Sequence, residues 1–209
     1  MLETATVAFT TFFATIGPVD VAAMFAAMTV GAGPAERRSM ALRGTCIGAG
    51  ILLLFALAGE ALLGRLGISL AALRTAGGIL LLLIAIDMVF ARPSGGVTTT
   101  ADEAEEATAR ADISVFPLAT PLIAGPGAMG AAILLMADTD GDVRLQAMVL
   151  LSLAAVILIT LAAVLGASQL QRLLGVTGMH VVNRVFGVLL SALAVQFIFD
   201  GIGASGLIP

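Results

Sequence analysis

The sequence predicts an all-α, polytopic membrane protein: one domain of six transmembrane helices, arranged as a 3+3 inverted repeat with helices one and four broken. Three observations lead there. Hydrophobic residues make up 59% of the 209 and charged residues only 11%, where a soluble domain carries about a quarter charged residues; mean hydropathy is +1.10. Six apolar stretches are each long enough to cross a bilayer, which takes about 20 residues. Prolines and glycines interrupt two of these stretches, one in each half of the chain.

Span one covers 5–30 and is interrupted at Gly17-Pro18. Proline removes one amide and clashes with the preceding turn, so the ladder must open there. Asp20 follows two positions later, near mid-span, with no basic residue closer in sequence than Arg37. A carboxylate at that depth costs roughly 2.5–3.5 kcal/mol on insertion scales. Loosened amides beside Pro18, a bound cation or a proton could each compensate it. Two readings of Asp20 follow: a proton- or cation-linked group at a solute site, or a carboxyl that satisfies its own broken helix.

Span two, 40–63, places Gly44 and Gly48 at helical spacing, as span one does Ala22 and Ala26, a pattern that lets backbones approach. Its Cys46, the single cysteine, is expected to be a small buried apolar residue. Span three, 70–89, begins near Arg74, whose side chain is expected to snorkel to headgroups. The segment 92–112 is the only long polar stretch, with Thr98-Thr99-Thr100 and then Asp102, Glu103, Glu105 and Glu106. It cannot bury enough apolar surface to offset ordering and is expected to be a flexible cytoplasmic linker. It separates a first repeat, 1–91, from a second, 113–209.

Span four, 113–137, is the most informative. Its run Phe116-Pro117-Leu118-Ala119-Thr120-Pro121-Leu122-Ile123-Ala124-Gly125-Pro126-Gly127 holds three prolines and two glycines. Backbone groups freed inside lipid are tolerated only against protein or along a cavity, so a broken helix points to a solute site. The candidate binding residues are therefore Gly17, Pro18 and Asp20 with Thr120, Pro121, Gly125, Pro126 and Gly127. Span five, 145–167, is unbroken. Span six, 177–199, carries Asn183, Gly187 and Ser191 at i, i+4, i+8, with Gln196 beyond. That stripe is expected to face the interior, as interhelical glue or as part of a solute path formed by Asn183, Ser191 and Gln196.

The halves resemble each other. Arg74-Thr75-Ala76-Gly77 in span three matches Arg184-Val185-Phe186-Gly187 in span six, and Ile16-Gly17-Pro18 matches Ala124-Gly125-Pro126. Each half has three spans, an odd number, so equivalent helices run in opposite directions across the membrane. The two breaks are then related by a pseudo-two-fold axis in the membrane plane. Half-helices that start at such breaks present free amides and partial positive charge. Those ends suit a carboxylate and the exposed carbonyls suit a cation or ammonium. A zwitterionic amino acid matches both, and other polar solutes would fit the same dipoles.

There is no lysine, so arginine sets orientation. Seven arginines follow spans one, three and five and three lie on the other side, which puts the odd-numbered loops in the cytoplasm and both termini outside. The residues before span one lack the positive region of a signal peptide. A net charge of −4, from acids that sit largely in the linker, argues against a nucleic-acid partner. One histidine, His180, cannot build a metal site without carboxylate partners. No nucleophile elbow, phosphate-cradling loop or dinucleotide fingerprint occurs, so neither an enzyme nor a cofactor is expected.

The run from Phe116 to Ala128 closely resembles the signature of the MarC family of bacterial inner-membrane proteins. The likeness extends over essentially the whole chain, through the six spans, the linker after the third and the ending Ala194-Val195-Gln196-Phe197-Ile198 with Gly201. The resemblance implies a multi-pass protein of the bacterial inner membrane. It also implies transport, since members are classed among neutral amino acid transporters for solutes such as glycine and alanine. The family's first span usually reads Asn-Pro-x-Gly. Here Gly17-Pro18-Val19-Asp20 keeps the proline, replaces Asn with Gly and replaces Gly with Asp, so substrate or coupling ion can differ from those of other members. The expected activity is alternating-access transport or export of a small neutral or zwitterionic solute, coupled to protons or sodium through Asp20. A passive channel and a non-transporting membrane scaffold are the alternatives. A homo-oligomer is left open.

Overall fold

The computed structural model describes residues 2–29, 31–90 and 112–206, without the side chains of 168–177, 179, 180, 182 and 183. The expected linker, apart from Asp112, and the side chains of His180 and Asn183 lie outside the described residues. The chain forms α1 (Leu2–Ile16), α2 (Pro18–Met28), α3 (Pro34–Leu66), α4 (Leu70–Phe90), α5 (Ser114–Ile123), α6 (Pro126–Ala137), α7 (Val143–Leu165) and α8 (Ala167–Ala204). Among the described residues there is no strand. Five helical segments are long and apolar enough to span a bilayer, counting α1 and α2 as one, and the bent pair α5 and α6 makes a sixth.

Local chemistry sets the ends. Pro34 opens α3 at its first helical position after an extended Gly33, where a missing amide costs nothing. The helix stops at Gly67, whose φ of 69° is left-handed, with Ile68 N–H donating to Leu63 O at 3.0 Å, the hydrogen bond that closes a helix C-terminus around glycine. Asp142 caps α7 by accepting from Arg144 N–H at 2.8 Å. The sixth span departs from expectation. Helix α8 begins at Ala167, directly after Gly166, and so absorbs the stretch expected to be a loop around Arg172. Gln169-Leu170-Gln171-Arg172-Leu173-Leu174 are all good helix formers with no proline among them, and further along α8 the stretch Arg184–Ala204 is long and apolar enough to span a bilayer.

Span one and α6 form the centre. In the most apolar 18-residue window of span one 61% of residues are buried, against 28–33% in the four other long spans, whose Leu54, Leu57, Leu83, Leu158 and Phe199 face outward. Around this centre α3 packs against α5 and α6, and α7 against α1 and α2. Helix α4 meets α6 as α8 meets α2, while α4 pairs with α8 and α3 with α7. Exchanging α1–α4 for α5–α8 maps these contacts onto themselves; the contact of α1 with α8 has no counterpart of similar extent.

Small residues make the seams. A Cβ on Gly44 would lie 2.8 Å from Ser114 O, and one on Gly78 2.7 Å from Ala194 O. Ser152 of α7 donates to Ala5 O of α1 at 3.2 Å, at the place corresponding to Gly44 against Ser114. Ala22, Ala26, Ala124, Ala128 and Ala132 are buried as well. Cys46 corrects its expectation: it is exposed on α3, because the buried face of that helix runs through Gly44, Thr45 and Gly48 and leaves position 46 outward.

Candidate functional site

The first break is local. Gly17 takes φ 61°, ψ 64°, a left-handed conformation that a residue with a side chain avoids and that answers the restriction proline places on its predecessor. Gly17 N–H donates to Phe13 O and Val21 N–H to Gly17 O, both at 3.0 Å. The ladder thus resumes one turn on, and no side chain caps α2. Asp20 is half-buried at the third position of α2. Its Oδ2 lies 3.3 Å from where a Gly17 Cβ would sit, so the carboxyl folds back on its own helix start, where negative charge is favoured.

The second break is much larger. In α5 the bonds run from i+5 to i, with Leu118 N–H to Ile113 O at 3.1 Å and Ala124 N–H to Ala119 O at 2.8 Å. Such wide turns are frequent at functional sites. Phe116 and Thr120 are extended, each before a cis peptide bond to Pro117 or Pro121. Helix α6 then leaves at 54° to α5. It starts at Gly125-Pro126 without a side-chain cap, and its first ordinary bond is Met129 N–H to Gly125 O at 3.0 Å. The buried amides of Gly127 and Ala128 therefore project from the helix end. Gly125 is required sterically, because a Cβ there would meet Pro121 O at 2.7 Å.

These placements bring part of the expected site together. Helix α1 packs beside α6, and α2 beside α5. From the membrane face they share, α1 and α6 run 15 and 12 residues to the breaks, about 22 and 18 Å. The uncapped starts of α2 and α6 thus lie at similar depth, antiparallel. Gly17, Pro18, Gly125 and Gly127 are buried, Asp20, Thr120 and Pro121 are half-buried, and Pro126 is exposed. The expected solute path in α8 fares differently. Gln196 is exposed and donates to Asp200 at 2.8 Å, so it points away from the centre. Ser191 donates to Val188 O of its own helix at 2.7 Å, and Gly187 is closed by Met88 and Val89. Three cavities, described between α3 and α7, on α3, and between α4 and α8, have no break residue in their lining.

Sequence reasoning missed two residues near the centre. The hydroxyls of Thr11 in α1 and Thr45 in α3 are buried without a hydrogen-bond partner, while Thr15 and Thr160 bond back to their own helices at 2.8 Å. Threonine on a buried helix face was the only available signal. Among the described residues two ion pairs join the halves, one at each end of the bundle. Arg43 pairs with Asp112, and Arg74 pairs with Asp138, which replaces the snorkelling expected of Arg74. The backbone amide of Ser114, then its hydroxyl, holds the Asp112 carboxyl below its usual range, with Arg43 adding to it. Burial pushes Asp138 up, against the pull of Arg74 and with help from Asp200 and Asp140. Among the described residues no group of three or more His, Cys, Asp and Glu is placed to hold a metal ion.

The family profile described as MarC family integral membrane protein matches residues 2–205. The chain belongs to that family. Among its MarC relatives, the UPF0056 membrane protein MJ1677 of Methanocaldococcus jannaschii is 36% identical over 195 residues, 93% of this chain and 94% of that protein. YvbG of Bacillus subtilis is 34% identical over 201 residues, 96% and 94% of the two chains. YhcE of Escherichia coli is 33% identical over 197 residues, 94% and 90%. Both are likewise described as UPF0056 membrane proteins. No solved structure matches. As a MarC protein this chain is an integral, multi-pass membrane protein, and the resemblance read from the proline-rich run holds over nearly its whole length.

Proposed function

We propose that this MarC protein is a carrier for a small neutral or zwitterionic solute, a neutral amino acid, bound between the starts of α2 and α6. One observation carries the reading: each half contributes a proline-started helix without a side-chain cap, and the segments leading into the two starts are interleaved, α1 packing against α6 and α5 against α2. The buried amides at the start of α6 suit a carboxylate. Asp20, at the start of α2, supplies the opposite charge for an ammonium group. The same carboxyl is the group through which a proton or sodium ion couples to transport.

The scaffold of this carrier is a 3+3 inverted repeat. The packing pattern that survives exchange of the two halves supports it, as does the spacing of 108 positions between Gly17-Pro18 and Gly125-Pro126 (125 − 17 = 108). The halves rock about the site; the ion pairs at the two ends are formed together here, and opening either face breaks the pair at that face. The arginine-rich loops face the cytoplasm and both termini face outward, in a bacterial inner membrane. No catalytic step is assigned.

Counterflow in proteoliposomes tests the reading. A carrier exchanges labelled alanine or glycine against unlabelled solute with saturation; conductance without exchange indicates a channel, and neither indicates a scaffold. Asp20→Asn is expected to fold, to exchange alanine with weakened affinity because the charge facing the ammonium is lost, and to lose dependence on the proton or sodium gradient. Undiminished gradient-driven flux in that variant removes Asp20 from the coupling step.

A further inference from the structure

A cavity of ≈ 400 Å³ opens where α2 gives way to α3 and α7 to α8. Phe25, Ala41, Val164 and Leu165 line it together with Arg37 and Arg38, and among the described residues no acidic side chain takes part. The two arginines differ. Arg37 is half-buried and held in place, its Nε donating to Thr29 Oγ1 at 2.9 Å and its Nη2 to Ala26 O at 3.4 Å. Its remaining guanidinium hydrogens are left for another acceptor. Arg38 is exposed and takes part in neither of the ion pairs among the described residues. The next arginine along α3, Arg43, is already committed to Asp112.

A third positive element lies at the same place. Pro34, which also lines the cavity, opens the 33-residue α3 without a side-chain cap. The first bonded amide there is Arg37 N–H to Gly33 O at 2.9 Å, so the amides of Ala35 and Glu36 project from the helix end. Glu36 in the first turn of α3 partly offsets the charge of the helix start but does not line the cavity. The two guanidinium groups, with the free amides beside them, therefore favour a tetrahedral oxyanion. The position narrows the class further. Helix α3, long and apolar enough to span a bilayer, starts at this point, and of the nine described lining residues only Arg37 and Arg38 are polar. A free anion would leave those apolar walls unused, whereas a phosphodiester with acyl chains covers both.

We propose that this cavity binds the phosphate of an anionic phospholipid, of the phosphatidylglycerol or cardiolipin class, with the first methylenes of an acyl chain against Val164 and Leu165. The site is separate from the solute site between α2 and α6 and stands without it. Each guanidinium near a membrane surface is worth about a fivefold change in affinity.

The test uses the full chain in phosphatidylcholine nanodiscs and in delipidated micelles, titrated with phosphatidylglycerol and read by native mass spectrometry and thermal shift. Retention of one or more phosphatidylglycerol molecules is expected, with a stabilising shift that phosphatidylcholine does not produce. Arg38→Ala has no bonded partner to disturb and should fold; it is expected to weaken binding about fivefold, and Arg37→Ala more. Arg144→Ala, at the opposite end of the bundle, should bind as the parent does. Equal binding of phosphatidylcholine, or unchanged binding in folded Arg38→Ala, overturns the site. Displacement of the lipid by inorganic phosphate at equal concentration overturns the lipid assignment.

Discussion

Replacing Gly17 separates the backbone of the first break from its charge. At φ 61° and ψ 64° an alanine pays about 1–2 kcal/mol for the left-handed conformation. The smaller conformational freedom of alanine in the unfolded chain offsets about 0.4–1 kcal/mol of that. The new Cβ also meets Asp20 Oδ2 at 3.3 Å, a tight contact that pushes the carboxyl off the start of α2. Gly17→Ala should therefore lose about 1 kcal/mol. Gly17→Asn should lose only a few tenths, since asparagine visits this conformation through its own local hydrogen bonds, and asparagine is what the usual family motif carries there. Reversible unfolding in mixed micelles, followed by the helix signal, measures both. An alanine variant as stable as the parent, or alanine and asparagine variants equally weakened, would refute the argument that left-handed strain decides this position.

In the same assay Gly78→Ala and Gly201→Ala should each cost about 1–3 kcal/mol by overpacking, because their Cβ atoms would meet backbone, Ala194 O and Thr75 N respectively, each at 2.7 Å. Gly50→Ala, with nothing within 4 Å, should instead gain up to about 1 kcal/mol; a common sign for all three would refute the seam. For Asp138 the folded carboxyl is raised above 3.8, so the folded state holds a proton that the unfolded chain has released. Its stabilising contribution is full below pH 3.8 and is lost as pH rises through the folded value. Asp138→Asn should remove that downward slope, measured by unfolding midpoints between pH 3 and 6. Asp112, lowered from 3.8, has the opposite sign: its contribution is present above 3.8 and fades as pH falls through the lowered value, with a small amplitude because it is exposed.

Proline and glycine act within one turn of their own position, so the places where spans one and four break were legible from sequence. How far each helix unwinds was not. Gly17-Pro18 costs span one a single left-handed residue, while Pro117 and Pro121 stand in a ten-residue segment of i+5 bonds. The sizes differ because α5 also packs its backbone against Gly44 and Gly48 of α3, residues 70 or more positions upstream. Arg74 shows the same limit. Read alone it snorkels, but Asp138 lies 64 positions away in sequence and within its reach in space. Cys46 and Gln196 turned outward because helix phase, and not residue type, selects the buried stripe. A strongly apolar chain hides that phase, since lipid-facing and core-facing positions carry the same residues.

The two helix starts at the centre are alike in backbone and unlike in charge, and this difference bears on selectivity. Asp20 stands at the third position of α2, whereas α6 begins Pro126-Gly127-Ala128 with no acidic residue in its first turn. One end is charge-compensated by its own chain and the other keeps its partial positive charge. In the proposed carrier a solute bridging them would be oriented, carboxylate to α6 and ammonium to Asp20. The usual family motif, with glycine where Asp20 stands, leaves both ends uncompensated and should discriminate less against solutes that lack an ammonium group. Gly17→Asn with Asp20→Gly recreates that motif without touching α6. Binding of alanine relative to lactate, which carries a hydroxyl in place of the ammonium, is expected to fall about tenfold or more in the double variant, as loss of a charge-assisted hydrogen bond would give. An unchanged ratio with retained alanine binding would mean that Asp20 serves only its own helix.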